Sequence, residues 1–227
     1  IPVNSDYRLW PADLIPAPTV ENAGRPIELG MKFRPIANGT VTALRFYKAL
    51  NNANPTILKL YSASGTVLAT ATHSDGGTDP GFKEVTLGTP VSLTANTLYM
   101  VTYYSASGDY VKTDGYMASA QTSGPLTAPA NGSADGSNGM YYLDSEGFPD
   151  QSCGTCNGPN YWADVVFNSN TVSYTYTLLG ITDQNGCTSL ASAVVTQPSN
   201  PVSVSLLVSP HVFCYGGNNG VVYSTPA

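Results

Sequence analysis

Apolar and polar residues alternate in short runs along most of the chain, the period of two that marks half-buried β-strands. In Thr40-Val-Thr-Ala-Leu-Arg-Phe-Tyr-Lys48 the alternation puts Thr42, Leu44 and Phe46 on one face and Val41, Ala43, Arg45 and Tyr47 on the other. The same pattern predicts strands over residues 27–33, 56–62, 67–73, 83–87, 98–104, 110–113 and 161–167. Helical periodicity is almost absent. Between the runs stand Ser64-Gly65, Asp75-Gly76-Gly77, Asp79-Pro80-Gly81 and Ser107-Gly108, dipeptides and tripeptides whose backbone preferences favour turns. Many short strands punctuated in this way predict an all-β, jelly-roll-like antiparallel sandwich. The stretch 118–150, rich in Gly, Ser, Ala, Asn and Pro, carries no period and reads as one or two long ordered loops.

After residue 167 the texture changes. Asn168-Ser-Asn-Thr171 reads as a linker, and strand-like runs follow at 172–181, 191–197, 202–209 and 221–224. Thr182-Asp-Gln-Asn-Gly-Cys187 is a tight-turn sequence between the first two. Residues 1–167 are therefore expected to form the sandwich, and 168–227 a small immunoglobulin-like module. Four strands fall short of the roughly seven that such a sandwich uses, so the module is expected to be incomplete. Its last segment, 212–227, is a candidate donor strand carrying Val212, Phe213, Val221, Val222 and Tyr223.

Two resemblances sharpen this division. Ile27-Glu-Leu-Gly-Met-Lys-Phe33, Leu44-Arg-Phe-Tyr-Lys48, Gly65-Thr-Val-Leu-Ala-Thr-Ala71, Pro125-Leu-Thr-Ala128 and Asn160-Tyr-Trp-Ala-Asp-Val-Val-Phe167 occur in that order. Over residues 7–167 they resemble the bacterial secreted β-sandwich family called domain of unknown function 4082. That resemblance implies a fold and no activity. Gly180-Ile-Thr-Asp-Gln-Asn-Gly-Cys187, followed by Val194-Val-Thr-Gln-Pro198, is similar to the end of a repeat in gliding-motility surface adhesins of Bacteroidetes (SprB-type repeats). Cys214-Tyr-Gly-Gly-Asn-Asn-Gly220 resembles the beginning of such a repeat. The resemblance implies a large cell-surface protein with cysteines paired within one repeat. Here the closing half precedes the opening half, so Cys187 and Cys214 pair either within one chain or between neighbours.

Composition narrows the function classes. Of the 227 residues 42% are hydrophobic and only 11% charged, enough apolar material for a core but few ions. A net charge of −6 argues against nucleic acid, which is bound by displacing counterions with basic patches. The nine Lys and Arg residues are scattered, which argues against an anionic membrane surface, and no apolar run approaches a membrane span. The chain begins Ile1-Pro2, as a mature, processed product would. With four cysteines the expected location is extracellular or at the cell surface.

Candidate chemistry is sparse. His73 and His211 are the only histidines, and no serine elbow, zincin, phosphate-loop or dinucleotide motif accompanies them. A non-enzymatic protein is expected. Cys153-Gly-Thr-Cys156 lacks both the helix of a redox pair and the second close pair of a zinc site, so a local disulfide is expected. Calcium is the one cofactor considered, with Asp75, Asp79, Asp135 and Asp144 as weak ligand candidates against a purely solvating role. Tyr103, Tyr104, Tyr110 and Tyr141 are candidate glycan contacts, although tyrosine also serves as an amphipathic residue at the edge of a core. Trp10 and Trp162 are expected to anchor that core.

Three functional expectations follow. The first is a structural or adhesive surface protein that assembles head-to-tail with copies of itself, or with adjacent repeats, by strand complementation. The second is a carbohydrate-binding module of a secreted multidomain protein. The third treats the ending as a boundary within a longer repeat protein.

Overall fold

A computed structural model of the chain describes residues 6–11, 19–48, 56–74, 80–169, 172–182, 188–197, 204–208 and 222–226. The chain divides into two units, one over Asn4–Ser169 and one centred on Asn170–Ala227. The first begins with β1 (Asp6–Tyr7), β2 (Thr19–Asn22), β3 (Ile27–Pro35), β4 (Gly39–Lys48), β5 (Thr56–Ser62), β6 (Val67–His73) and β7 (Gly81–Leu93). It continues with β8 (Tyr99–Ser105), β9 (Asp109–Lys112), β10 (Gln121–Ser123), β11 (Leu126–Ala128), β12 (Met140–Leu143), β13 (Gln151–Ser152) and β14 (Ala163–Ser169). One sheet runs β1-β14-β4-β7 and the other β10-β11-β3-β8-β5-β6, with β12 also on β3, while β2 and β9 form a separate ribbon. The pairings are antiparallel. The unit is an all-β sandwich.

Alternation explains what each sheet buries. Leu29 of β3, Tyr103 of β8 and Leu58 of β5 lie in one cross-strand row, and the core of the unit holds all three. From the other sheet come Val41, Leu44, Phe46, Val165 and Phe167. The rings of Phe46 and Tyr103 meet between the sheets with centroids 5.3 Å apart. One face assignment needs correction. Adjacent Val166 and Phe167 of β14 pair with Ala43 and Val41 of β4, so Thr42 is the extra residue of a β-bulge against β14. Val41 therefore joins Leu44 and Phe46 in the core, and Thr42 is only half-buried.

The polar faces are buried too, and that demands partners. Glu28 on β3 is 0% exposed. Its carboxylate accepts from Lys59 Nζ (2.9 Å), the Tyr61 hydroxyl (2.9 Å), the Thr102 hydroxyl (2.7 Å) and the Gly147 backbone N–H (3.0 Å). Lys59 reaches Glu146 as well, at 2.9 Å, and Phe148 packs edge-on against Tyr61. The segment around Gly147 is thus clamped over the sheet. In the smaller sheet Asp164 accepts from Arg45 (2.7 Å) and from the backbone N–H groups of Leu9, Trp10 and Val165. The Arg45 guanidinium also lies 4.5 Å from the Phe82 ring centroid.

Residues 118–150, expected as loop, contain short strands. β10 and β11 form a hairpin docked on the end of β3, and β12 covers its beginning. Asn138 fills the gap between β11 and β12 along β3. Its side-chain oxygen accepts from Lys32 N–H at 2.8 Å, and its amide donates to the Lys32 and Pro129 carbonyls at 3.1 and 2.8 Å. An amide side chain so completes the ladder where the backbone does not. In the second unit β15 (Val172–Thr182) pairs with β16 (Thr188–Gln197), and β17 (Val204–Val208) pairs with β18 (Val222–Pro226).

Removing one partner of a buried ion pair costs about 3–5 kcal/mol, because the other charge is left uncompensated. Glu28→Ala is expected to destabilise the first unit by about that amount, read from its urea unfolding midpoint. Amide exchange at Gly147 is expected to accelerate in the same variant.

Candidate functional site

A cleft of about 250 Å³ opens where the core face of the larger sheet meets the β2–β9 ribbon. The antiparallel register of β12 on β3 builds its first wall: Leu143 stands opposite Ile27, and Tyr141 opposite Leu29. On β9 the alternation sends Val111 into the core, leaving Tyr110 and Lys112 for the cleft. Tyr161 comes from the turn that enters β14. There Asn160 exchanges both backbone hydrogen bonds with Thr113 at 3.0 Å, and its side-chain oxygen accepts from Trp162 N–H at 2.8 Å. These bonds hold Trp162 at φ 58°, a left-handed conformation that a bulky residue adopts only when its surroundings impose it. Tyr161 is 3% exposed and meets the Tyr110 ring edge-on at 5.8 Å.

Cys153 and Cys156 line the same cleft and form a disulfide with a Cα–Cα separation of 5.3 Å. The turn they close is tied to its neighbour by Gly115 N–H to the Cys156 carbonyl and Met117 N–H to the Gly158 carbonyl, both 2.8 Å. Gly158 sits at φ 73°, and a Cβ there would lie 2.5 Å from Asn131 Cβ, so glycine is required for this close approach.

The cations of the cleft are already answered. Arg25 Nη1 lies 3.3 Å from Asp144, and Lys112 Nζ lies 3.2 Å from Asp114 and 3.7 Å from Glu21. Burial alone would lower the Lys112 pKa, but the hydrogen bond and charge of Asp114, with the charge of Glu21, raise it on balance. Burial pushes the Tyr161 hydroxyl upward, with Tyr110 and Tyr141 adding to the effect. Burial, then the charge of Glu21, does the same to Tyr110. At neutral pH the cleft presents neutral phenols, apolar ring surface and a paired ammonium. Such a set can stack against a flat apolar face and hydrogen-bond to hydroxyls at its edge.

Of the four tyrosines expected at a glycan site, Tyr110 and Tyr141 come together here. Tyr103 does not: it is 0% exposed in the core, and its side chain is unavailable to a ligand. Strand alternation turned it inward and left Tyr104 half-buried on the opposite face of the sheet. Tyr161, Arg25 and Lys112 were not foreseen in this role. The only signal was the position of Tyr161 inside the Asn160–Phe167 motif. His73 is a core histidine against Phe46, with rings 5.4 Å apart. Asp135 pairs with Arg34, and Asp144 with Arg25. Among the described residues no three His, Cys, Asp or Glu side chains come together to hold a metal. Val222 and Tyr223 lie in β18, paired within the chain. Asp75, Asp79, Cys187, Cys214, Val212, Phe213 and Val221 lie outside the described residues.

A family model described as Domain of unknown function (DUF4082) matches residues 13–163, which include every residue of the cleft. No curated protein matches the chain.

The phenols also set an alkaline limit. Their folded pKa values lie above the ordinary 10.0, so the unfolded chain loses these protons first. Their contribution to stability is full below about pH 10 and is lost as pH rises through the folded values. Tyr161→Phe, with no proton to lose, is expected to flatten the alkaline fall in the unfolding midpoint.

Proposed function

The chain belongs to the DUF4082 family of β-domains, and on that premise we propose that it is a non-enzymatic extracellular surface protein whose first unit binds carbohydrate. The observation that carries the reading is the convergence of the half-buried Tyr110 and Tyr141 on one solvent-open cleft beside Lys112 and Arg25, with the buried Tyr161 also in its lining. Sugars offer apolar ring faces with hydroxyls around them, and this cleft offers aromatic rings with polar groups around them. The paired state of Lys112 and Arg25 suits holding a ligand better than transferring a proton. The Cys153–Cys156 disulfide supports an oxidising compartment.

A second observation favours assembly as an additional role. Among the described residues each hairpin of the second unit pairs only within itself. A lone two-stranded hairpin is at best marginally stable in water, and its outer edges are templates for another strand. The hairpins of neighbouring copies, or of adjacent repeats resembling those of gliding-motility adhesins, complement each other at these edges in this reading. The pairing of β18 with β17 occupies one edge of each strand, and no other described strand pairs with them.

Binding of the purified protein to a glycan array tests the first reading. Tyr110→Ala and Tyr141→Ala are each expected to weaken the retained glycan about tenfold, or about 1.4 kcal/mol. Tyr104→Ala, on the other face of the sheet, is expected to leave binding unchanged; no retained glycan at all would sink the reading. For assembly, light scattering and electron microscopy are expected to show linear oligomers. Monomers at every concentration and salt would remove that role.

A further inference from the structure

We propose that the tyrosine cleft takes one uncharged sugar residue at the end of a glycan, entering end-on, and discriminates against uronic acids. The inference rests on the carbohydrate-binding reading and adds the class and extent of the ligand. Two features of the cleft carry it.

The first is size. Pockets that enclose drug-sized ligands run to about 300–1,000 Å³, whereas this cleft holds about 250 Å³. Ile27 and Tyr161, both buried, close its floor. Tyr110 and Tyr141 flank it, and the disulfide turn bounds it. One ring fills this space. The next residue of a chain lies outside, over the exposed Arg25–Asp144 pair.

The second is charge. Arg25 and Lys112 are the cations of the lip, and three carboxylates, Asp144, Asp114 and Glu21, stand on them. The local balance is two positive charges against three negative. A uronate carboxylate entering here would have to displace an existing partner and then face the remaining acids, a like-charge juxtaposition that rejects wrong ligands. Hydroxyl groups meet no such penalty. They accept from Lys112 and donate to its carboxylates without breaking either ion pair.

Isothermal titration of the full chain tests this with methyl glycosides of glucose, galactose, mannose and N-acetylglucosamine, the trisaccharides that end in each, and glucuronate and galacturonate. The preferred glycoside and its trisaccharide are expected to bind within about twofold of each other, and the uronates about tenfold or more weaker. The double variant Glu21→Gln, Asp114→Asn leaves Lys112 unanswered, and the ratio of uronate to neutral affinity is expected to rise about fivefold or more. Affinity that climbs with each added residue overturns the end-on geometry. Uronates that bind as tightly as neutral sugars, or a ratio unmoved in the double variant, overturn the charge argument. Both results would leave the carbohydrate-binding reading standing. Failure of every sugar, or binding indifferent to Tyr141→Ala, overturns that reading itself.

Discussion

A carboxylate that is fully buried on a β-strand must be met by donors wherever the chain can supply them, and Glu28 imposes that condition on the first unit. Its four donors come from β5, from β8 and from the segment at Gly147. A slip of one residue in β8, or in β5 beyond it, would turn Thr102 or Lys59 to the opposite face and strand the charge. The carboxylate thus fixes the registers of three strands together. It also holds the chain just beyond β12 against the sheet, and β12 carries Tyr141 and Leu143 to the cleft. One wall of the site hangs on Glu28.

The other wall hangs on a second buried carboxylate. Asp164 draws in the backbone of Leu9 and Trp10 and faces Arg45 across the β14–β4 pairing. It follows Trp162 and Ala163 directly, so it anchors the strand that the Tyr161 turn enters. Burial pushes the Asp164 carboxyl up to about 6 in spite of Arg45 and its backbone donors. The desolvation cost is therefore as large as the attraction, and the pair is better understood as a device of position than as a source of net stability. At Glu28 the positional role lies in the hydrogen bonds themselves, since an apolar replacement of the entire cluster would not specify where Gly147 docks.

These two devices explain where the sequence was readable and where it was not. Strands 56–62 and 67–73 stand at the bounds that alternation predicts, because apolar and polar side chains alternate along them even where, as in 56–62, both faces are buried. The bulge at Thr42 has no such mark, since an extra residue in one strand shows only against its partner, here β14. Tyr103 and Tyr104 are adjacent and identical, so their pattern does not say which one faces inward. Nothing in the alternation marks Glu28 and Arg45 as buried, and only the elements lying over each sheet account for their burial. β10, β11 and β12 are too short for periodicity, and the link between them is the side chain of Asn138. The local disulfide was legible from its spacing. The cleft was not, because its residues come from Ala23 to Tyr161 and meet only through the sheet registers.

Size also joins the two proposed roles. A small hydrophilic ligand gains only about 0.3 kcal/mol per heavy atom at the modest end of ligand efficiency. A hexose of about a dozen such atoms then binds with roughly 4 kcal/mol, close to a millimolar dissociation constant. One such site does not retain a surface. Many copies on one scaffold do, because linkage turns later contacts into intramolecular ones and can multiply avidity by about 10²–10⁴ without any new contact. A shallow, single-residue cleft is therefore poorly suited to an isolated binding protein and well suited to a subunit presented in series. In the proposed reading, the hairpin edges that pair with no other described strand of the second unit are a means of making that series. On the proposed reading, weak recognition in the first unit and strand complementation in the second are parts of one adhesive design, each of little use without the other.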